Sequence, residues 1–271
     1  MKLFLTALLA ALSTSTAFAG EKSSMPDKNA NPIIPDHLIE KLSSKKIYFG
    51  HQSVGRNIML GIEELLTEEQ KKRLPIIKAS NPRAYQGNLF AHSDVGRNRD
   101  PLSKLKGFDR QLDRVGNWQP DIAMLKFCYV DVEKNADVET LFRQYQERMQ
   151  QVKLKHPDVK LVHFTVPLRT VQSGVKASIK QLIGRQLEGA ADNIQRHRYN
   201  ELLRKTYAGK EPIFDIAKIE STREDGSRET FTQGGKTYYA LVPEYSNDGG
   251  HLNRRGRAWV AKHLLEFLAE L

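Results

Sequence analysis

The apolar residues of this chain change period repeatedly, and that alternation narrows its possible folds more than any other feature. Short apolar runs at Ile47–Phe49 and Val159–Val166 stop at Gly50 and Pro167, and a third, Asp121–Val132 (DIAMLKFCYVDV), follows Pro120. Each reads as a buried strand. Between them the spacing turns helical. Ile58, Met59, Ile62, Leu65 and Leu66 share one face of a helix over Val54–Leu66, and Leu141, Phe142, Tyr145, Met149 and Val152 share one face over Val138–His156. Further helices are expected over Leu102–Val115, Asp192–Tyr207 and Gly256–Leu271, with short strands over Pro75–Ala79 and Pro212–Ile216. Asn81–Asp100, rich in Gly, Asn, Asp and Pro, reads as a loop. Thr222–Tyr245 reads as an irregular β-rich excursion. Strands separated by helices imply an α/β fold with a parallel sheet covered on both faces. Ligands of such sheets bind beyond the carboxyl ends of the strands, which directs attention to the loops after Phe49, Val132, Val166 and Ile216.

The N-terminus has a separate purpose. In MKLFLTALLAALSTSTAFAG, Lys2 precedes an apolar run too short to span a bilayer, and Ala17-Phe18-Ala19 forms a cleavage signal. Residues 1–19 are therefore expected to be a signal peptide, cleaved after Ala19, with a periplasmic or secreted product. Residues 20–40 read as a flexible arm and 41–271 as a single domain. No later stretch suggests a transmembrane anchor. The single cysteine, Cys128, lies in an apolar run and reads as a buried core thiol, so an exported fold would stand without an internal disulfide. The formal net charge of +10 suits either solubility or attraction to anionic polymers. With no nucleic-acid module and no interleaving of aromatic and basic residues, nucleic acid is not an expected partner. The basic insertion Leu168–Gly189 (Arg169, Lys176, Lys180, Arg185) reads as a solvated helix face or a strip that steers anionic polymers.

Two stretches carry chemistry. In YFGHQSVGRN, Ser53 stands where a strand gives way to a helix. A helix N-terminus offers unpaired N–H groups and the positive end of the helix dipole, both useful to a developing oxyanion. Ser at that position is also a common helix cap, so cap and nucleophile are both open from this stretch alone. In NDGGHLNRRG, Asp248 and His251 share a Gly-rich loop before the last helix, with Asn253 as its candidate cap. A serine hydroxyl needs a base to take its proton, His is the natural base, and a carboxylate fixes the tautomer of that His.

These residues in this order resemble the SGNH, or GDSL-type, hydrolase superfamily, with supporting matches in PDIAMLKFCYVD, VKLVHFTVP and DNIQRHRYNELLR. The resemblance runs from about Lys45 to Leu271. It implies a flavodoxin-like three-layer α/β/α sandwich around a central, mostly parallel sheet, with Ser53 as nucleophile, His251 as base and Asp248 as the orienting acid. The chain departs from the family's pattern in two places. The first block is Gly50-His51-Gln52-Ser53 rather than Gly-Asp-Ser, and KFCYVD replaces the third-block Gly-x-Asn-Asp that supplies an oxyanion donor. The Ser53 amide and Gly96 of the second block remain candidate oxyanion donors. Asn98 is the candidate for the missing amide, with Lys126 and Tyr129 as alternatives.

His51, Gln52, Tyr129 and Asp131 are candidate substrate contacts. The alternatives are a structural role for His51 and a turn cap for Asp131. His92 and Asp94 are either pocket-lining or solvated. No His, Cys, Asp and Glu residues have metal-ligand spacing, so neither metal nor cofactor is expected. The resemblance and the export signal together imply a serine esterase acting on an acylated carbohydrate, O-acetyl groups above all. An O-acyltransferase with the same triad and a non-catalytic glycan-binding protein are the alternatives.

Overall fold

The structure is a computed structural model that describes residues 33–78, 81, 85–172, 174, 180, 183 and 185–271. The expected signal peptide, residues 20–32 of the arm and Lys176 lie outside the described residues. In chain order the elements are α1 (Asp36–Ser43), β1 (Lys46–His51), α2 (Val54–Leu65), α3 (Glu68–Arg73), β2 (Ile76–Lys78), β3 (Leu89–Asp94), α4 (Pro101–Arg114), β4 (Ile122–Leu125), α5 (Val138–Lys155), β5 (Lys160–Phe164), α6 (Ala190–Tyr207), β6 (Ile213–Phe214), α7 (Ile216–Glu220), β7 (Thr230–Gln233), β8 (Lys236–Tyr239) and α8 (Arg254–Ala269).

Strands β1 to β6 form one sheet in the order β2-β3-β1-β4-β5-β6, and every adjacent pair is parallel. Alternate side chains on each strand enter opposite layers. Ile47 and Phe49 of β1, with Ile122 and Met124 of β4, pack with α1, α2, α7 and α8. Tyr48, Ala123 and Leu125 pack with α4, α5 and α6. Because both faces of the central strands are buried, they read as continuous apolar runs rather than alternating ones. The result is a three-layer α/β/α sandwich.

Three expectations need correction. The domain begins before residue 41: Ile34 and, in α1, Leu38, Ile39 and Leu42 are core residues. The amphipathic spacing of this single short helix is masked by the surrounding Pro and Lys residues. Within the expected loop Asn81–Asp100 lies β3, which pairs with both β1 and β2. Its buried polar residues, His92 and Ser93, broke the apolar pattern; Ser93 Oγ lies 2.8 Å from the buried Tyr48 hydroxyl. Finally, the strand expected over Asp121–Val132 stops at Leu125. There the buried Lys126 donates to the Phe127 carbonyl, and the Asp131 carboxylate accepts from the Cys128 amide at 2.7 Å, closing a tight turn. The β-rich excursion resolves into the antiparallel hairpin β7–β8.

The packing of α2 on α8 positions the site, because Ser53 precedes α2 and His251 precedes α8. The helices meet closely at Gly61, where a Cβ would come within 2.5 Å of the Arg257 carbonyl oxygen. Arg257 also makes a two-pronged ion pair with Glu64, its Nε donating at 2.7 Å. Gly61→Ala is therefore expected to destabilise the fold. Overpacking of about 1–3 kcal/mol outweighs the roughly 0.8–1 kcal/mol that Ala gains over Gly inside a helix. Denaturant melts check this; an unchanged or raised midpoint would contradict the close approach.

Candidate active site

Ser53 does not cap α2. Its side chain makes no capping hydrogen bond, and its φ of 50° places it in the left-handed region. A non-glycine residue held there stores roughly 1–3 kcal/mol of strain. The turn aims Ser53 Oγ at His251 Nε2, 2.7 Å away. His251 Nδ1 lies 2.6 Å from Asp248 Oδ2. An ionised carboxylate only accepts, so Nδ1 carries the proton and Nε2 is free to accept from the serine hydroxyl. Asp248 Oδ1 takes the backbone N–H groups of Gly250 at 2.9 Å and His251 at 2.7 Å, and Ser246 Oγ donates to it at 3.2 Å. Partial burial alone would raise the Asp248 carboxyl. The hydrogen bonds from His251 and from the two amides outweigh it and hold the group well below the usual carboxylate range. The side chains of His251 and Asp248 are 46% and 56% exposed, so water reaches the base.

Several bonds hold this loop to the sheet edge. Asn57 Oδ1, on the first turn of α2, accepts from the Leu252 amide at 3.3 Å. Asn253 caps α8 through Gly256 at 3.0 Å, as its position suggested. On the other side, Gln52 Nε2 donates to the Gly96 carbonyl at 2.9 Å. The Gln52 carbonyl accepts the Cys128 thiol at 3.2 Å. Gln52, a candidate substrate contact, thus spends its amide tying the nucleophile turn to the loop after β3. Gly96 has φ +59°, and a Cβ there would lie 2.4 Å from the Lys104 amide, so the loop runs tight against α4. Asn98 is exposed; its Oδ1 accepts from Lys104 Nζ at 2.9 Å, which leaves its NH₂ as the outward donor.

Two other candidate contacts are closed to substrate. Asp131 is buried and paired with the equally buried Lys104, and its Oδ1 accepts the Arg99 amide at 2.9 Å. His51 is fully buried, with Nε2 2.9 Å from His92 Nδ1. Burial, then the neighbouring His92 and cations, hold His51 far below the usual histidine range; burial chiefly lowers His92 to about 4. The pair is neutral and structural. Lys126 is also excluded as an oxyanion donor, since it is fully buried and directed at Phe127. Asp94 pairs with Arg56 and Lys78. Tyr129 does reach the site, its hydroxyl 3.4 Å from both ring nitrogens of His251. Among the described residues no group of three or more His, Cys, Asp or Glu side chains is placed to hold a metal ion. Beside Asp248 opens a cleft of 620 Å³ lined by residues including Arg169, Thr170, Gln172, Glu188, Asp192 and Ser246. A second pocket, between α5 and α6, shares no residue with the triad.

No protein-family model and no curated protein matches the sequence. Solved structures do match in shape. A protein from Parabacteroides merdae, provisionally named a GDSL-like lipase, superposes with a TM-score of 0.52 at 15% identity, covering 83% of this chain and 95% of that one. A protein from Streptococcus pneumonia, provisionally named a platelet activating factor, gives 0.49 at 14% identity, covering 86% and 92%. The chain has the fold of the SGNH, or GDSL-type, hydrolases.

Two outcomes follow from the buried charges around the site. Asp131→Ala leaves Lys104 buried and uncompensated, a loss expected to be about 3–5 kcal/mol. Adding Lys104→Met should recover only part of it in urea titrations, because the Arg99 and Cys128 amides still lack their acceptor. Glu220 is fully buried, with Oε1 accepting from the Leu168 amide and Oε2 unpartnered. Burial raises its carboxyl from 4.5 to about 8, against the pull of the Leu168 amide, Lys126 and Arg196. Its folded value lies above its unfolded one, so its contribution is complete below pH 4.5 and is lost as pH rises through 8. The Tm of the native chain should therefore fall relative to that of Glu220→Gln across that window. Parallel melting curves would contradict the assignment.

Proposed function

We propose that this chain is an exported serine esterase that removes O-acyl, chiefly O-acetyl, groups from a carbohydrate. The observation that carries the reading is the continuous hydrogen-bonded chain from Ser53 Oγ through His251 to Asp248, at 2.7 and 2.6 Å. The serine's strained, non-capping conformation supports it, because a residue that served only as a cap would have no need of the left-handed region. The GDSL-like lipase name of the Parabacteroides merdae neighbour agrees with ester chemistry.

In this mechanism His251 Nε2 takes the Ser53 proton as Oγ attacks the ester carbonyl. The tetrahedral oxyanion lies against the Ser53 amide at the α2 N-terminus and against the loop of Gly96 and Asn98. Collapse breaks the carbon–oxygen bond to the alcohol, which leaves with the proton from His251, and Ser53 keeps the acyl group. Water, deprotonated by His251, then releases the acid. Asp248 stays ionised throughout and stabilises the imidazolium. The half-exposed His251 favours water over a second sugar as acceptor, hence hydrolysis over transfer. The cleft beside Asp248, lined largely by polar and charged side chains, suits a polyhydroxylated substrate better than a fatty chain. Export is inferred from the sequence Met1–Gly20.

A fluorophosphonate should label Ser53, as mapped by mass spectrometry, and His251→Ala should abolish the adduct. Against an acetylated glycan, Ser53→Ala should lower kcat by about 10⁴-fold or more and Asp248→Asn by about 10²- to 10⁴-fold. Absence of an adduct under conditions that label a control esterase would favour the non-catalytic glycan-binding alternative.

A further inference from the structure

The Gly250 N–H that meets Asp248 Oδ1 at 2.9 Å belongs to the Gly249–Gly250 peptide group. That peptide is trans, so its carbonyl points the opposite way. The carbonyl accepts from Arg169 Nε at 3.2 Å and from the Thr170 amide at 3.0 Å. One peptide earlier, the Asp248 carbonyl accepts from Arg169 Nη2 at 3.3 Å. A single guanidinium therefore bridges two consecutive carbonyls of the loop that carries Asp248 and leads to His251. The two segments run in close contact: Gly249 has φ +77°, and a Cβ on it would lie 2.5 Å from Thr170 Oγ1.

The sequence suggested a solvated helix face or a polymer-steering strip for Arg169. In the fold it is partly buried and held at both ends. Its amide donates to Asn193 Oδ1 at 3.0 Å, and its carbonyl accepts from Asn193 Nδ2 at 2.7 Å and from the Leu241 amide at 3.1 Å. Asn193 is fully buried and also takes Arg196 Nη1 at 2.7 Å. At the other end the guanidinium stands 5.4 Å from the centroid of the Tyr129 ring, and Arg196 Nε holds the Tyr129 carbonyl at 3.0 Å.

Resting on the esterase reading above, we infer that Arg169 is a positioning residue for the acid and base, acting on Asp248 through the Gly249–Gly250 peptide. Its two hydrogen bonds fix the planes of two successive peptide groups. The second plane aims the Gly250 N–H at Asp248 Oδ1, while Oδ2 faces His251 Nδ1 at 2.6 Å. A cation on the carbonyl also polarises the peptide and strengthens its N–H as a donor. Hydrogen bonds must do this work because packing does not: the side chains of Asp248 and His251 are about half exposed. Without the guanidinium the two peptides are freer to rotate, the carboxylate turns with them, and His251 loses its aim at Ser53 Oγ.

The test compares Arg169→Ala and Arg169→Lys with the native chain on 4-nitrophenyl acetate, an ester too small to extend along the cleft. Rates are expressed per serine that a fluorophosphonate labels at completion, so that only folded protein is counted. Arg169→Ala should lower kcat by about 10- to 100-fold, the range for a small misplacement of reacting groups. KM should stay within about 3-fold, because acylation and deacylation both pass through His251 and slow together. Millimolar methylguanidinium should raise kcat of Arg169→Ala several-fold and leave the native chain unchanged, and Arg169→Lys should fall between the two. An arginine that only stabilised the fold would lower the Tm without changing kcat per reactive serine. An unchanged kcat, a loss confined to KM, or a loss that neither methylguanidinium nor Arg169→Lys relieves overturns the assignment. Should Arg169→Ala fail to fold, Arg169→Gln, with one side-chain nitrogen in place of the bridging pair, carries the same kcat and KM comparison. Ser53→Ala, assayed alongside, separates the two levels. If it retains native activity the triad reading itself fails, and Arg169 falls with it. If it is inactive while Arg169→Ala keeps its kcat, only the role of Arg169 fails.

Discussion

The site depends on one packing contact, the close crossing of α2 and α8 on one face of the sheet. Ser53 stands at the entrance to one helix and His251 at the entrance to the other, 198 residues apart in sequence. Local hydrogen bonds fix each loop, but the meeting of the two depends on the helices that follow them. The helices make it possible because each is a rigid body whose N-terminus is fixed once its apolar face is buried. Gly61 lets the two axes approach, the Glu64–Arg257 ion pair sets their register, and Asn57 carries that register to Leu252, next to the base. The strain at Ser53 can persist only in a surrounding this firmly determined.

Next to the Ser53 turn lies a layer of polar groups bonded to one another. Asp131 takes the amide of Arg99 from the loop after β3, the amide of Cys128 from the loop after β4, and the ammonium group of Lys104 from α4. Gln52 joins the nucleophile turn to the same two loops. Buried ion pairs contribute little net stability, because desolvation consumes most of the Coulomb attraction. Their effect here is geometric. Three loops of unrelated sequence are bound to common acceptors, so they cannot shift independently, and the side chains at their tips keep fixed relations.

The charge distribution follows the same division. Desolvation holds the buried His51, His92 and Glu220 far from their ordinary ranges. Asp248 departs from its range for a different reason. It is half exposed, and directed hydrogen bonds outweigh its modest desolvation. An acid fixed by hydrogen bonds can stand near the surface, and His251 beside it is half exposed.

Much of this was legible in the sequence, for a physical reason. Hydrophobic period is a local property, so the helices and the central strands could be read directly, whereas the pairing of Ser53 with the Asp-x-x-His loop rested on the residue types and the family they resemble. What failed was whatever depended on partners distant in sequence. β3 was hidden because His92 and Ser93 are polar residues accepted into the core by β1 and its neighbours. Asp131 and His51 stayed open between a substrate contact and a structural role because nothing nearby announces Lys104 or His92. Tyr129 was visible as a candidate, but not its contact with the His251 ring, which follows from where α8 delivers His251. The sequence determined by itself the layers of the fold and the kinds of residue at the site. The tertiary structure alone decided which polar groups are buried and paired and which are left facing solvent, because hydrogen bonding over such separations depends on how the layers close.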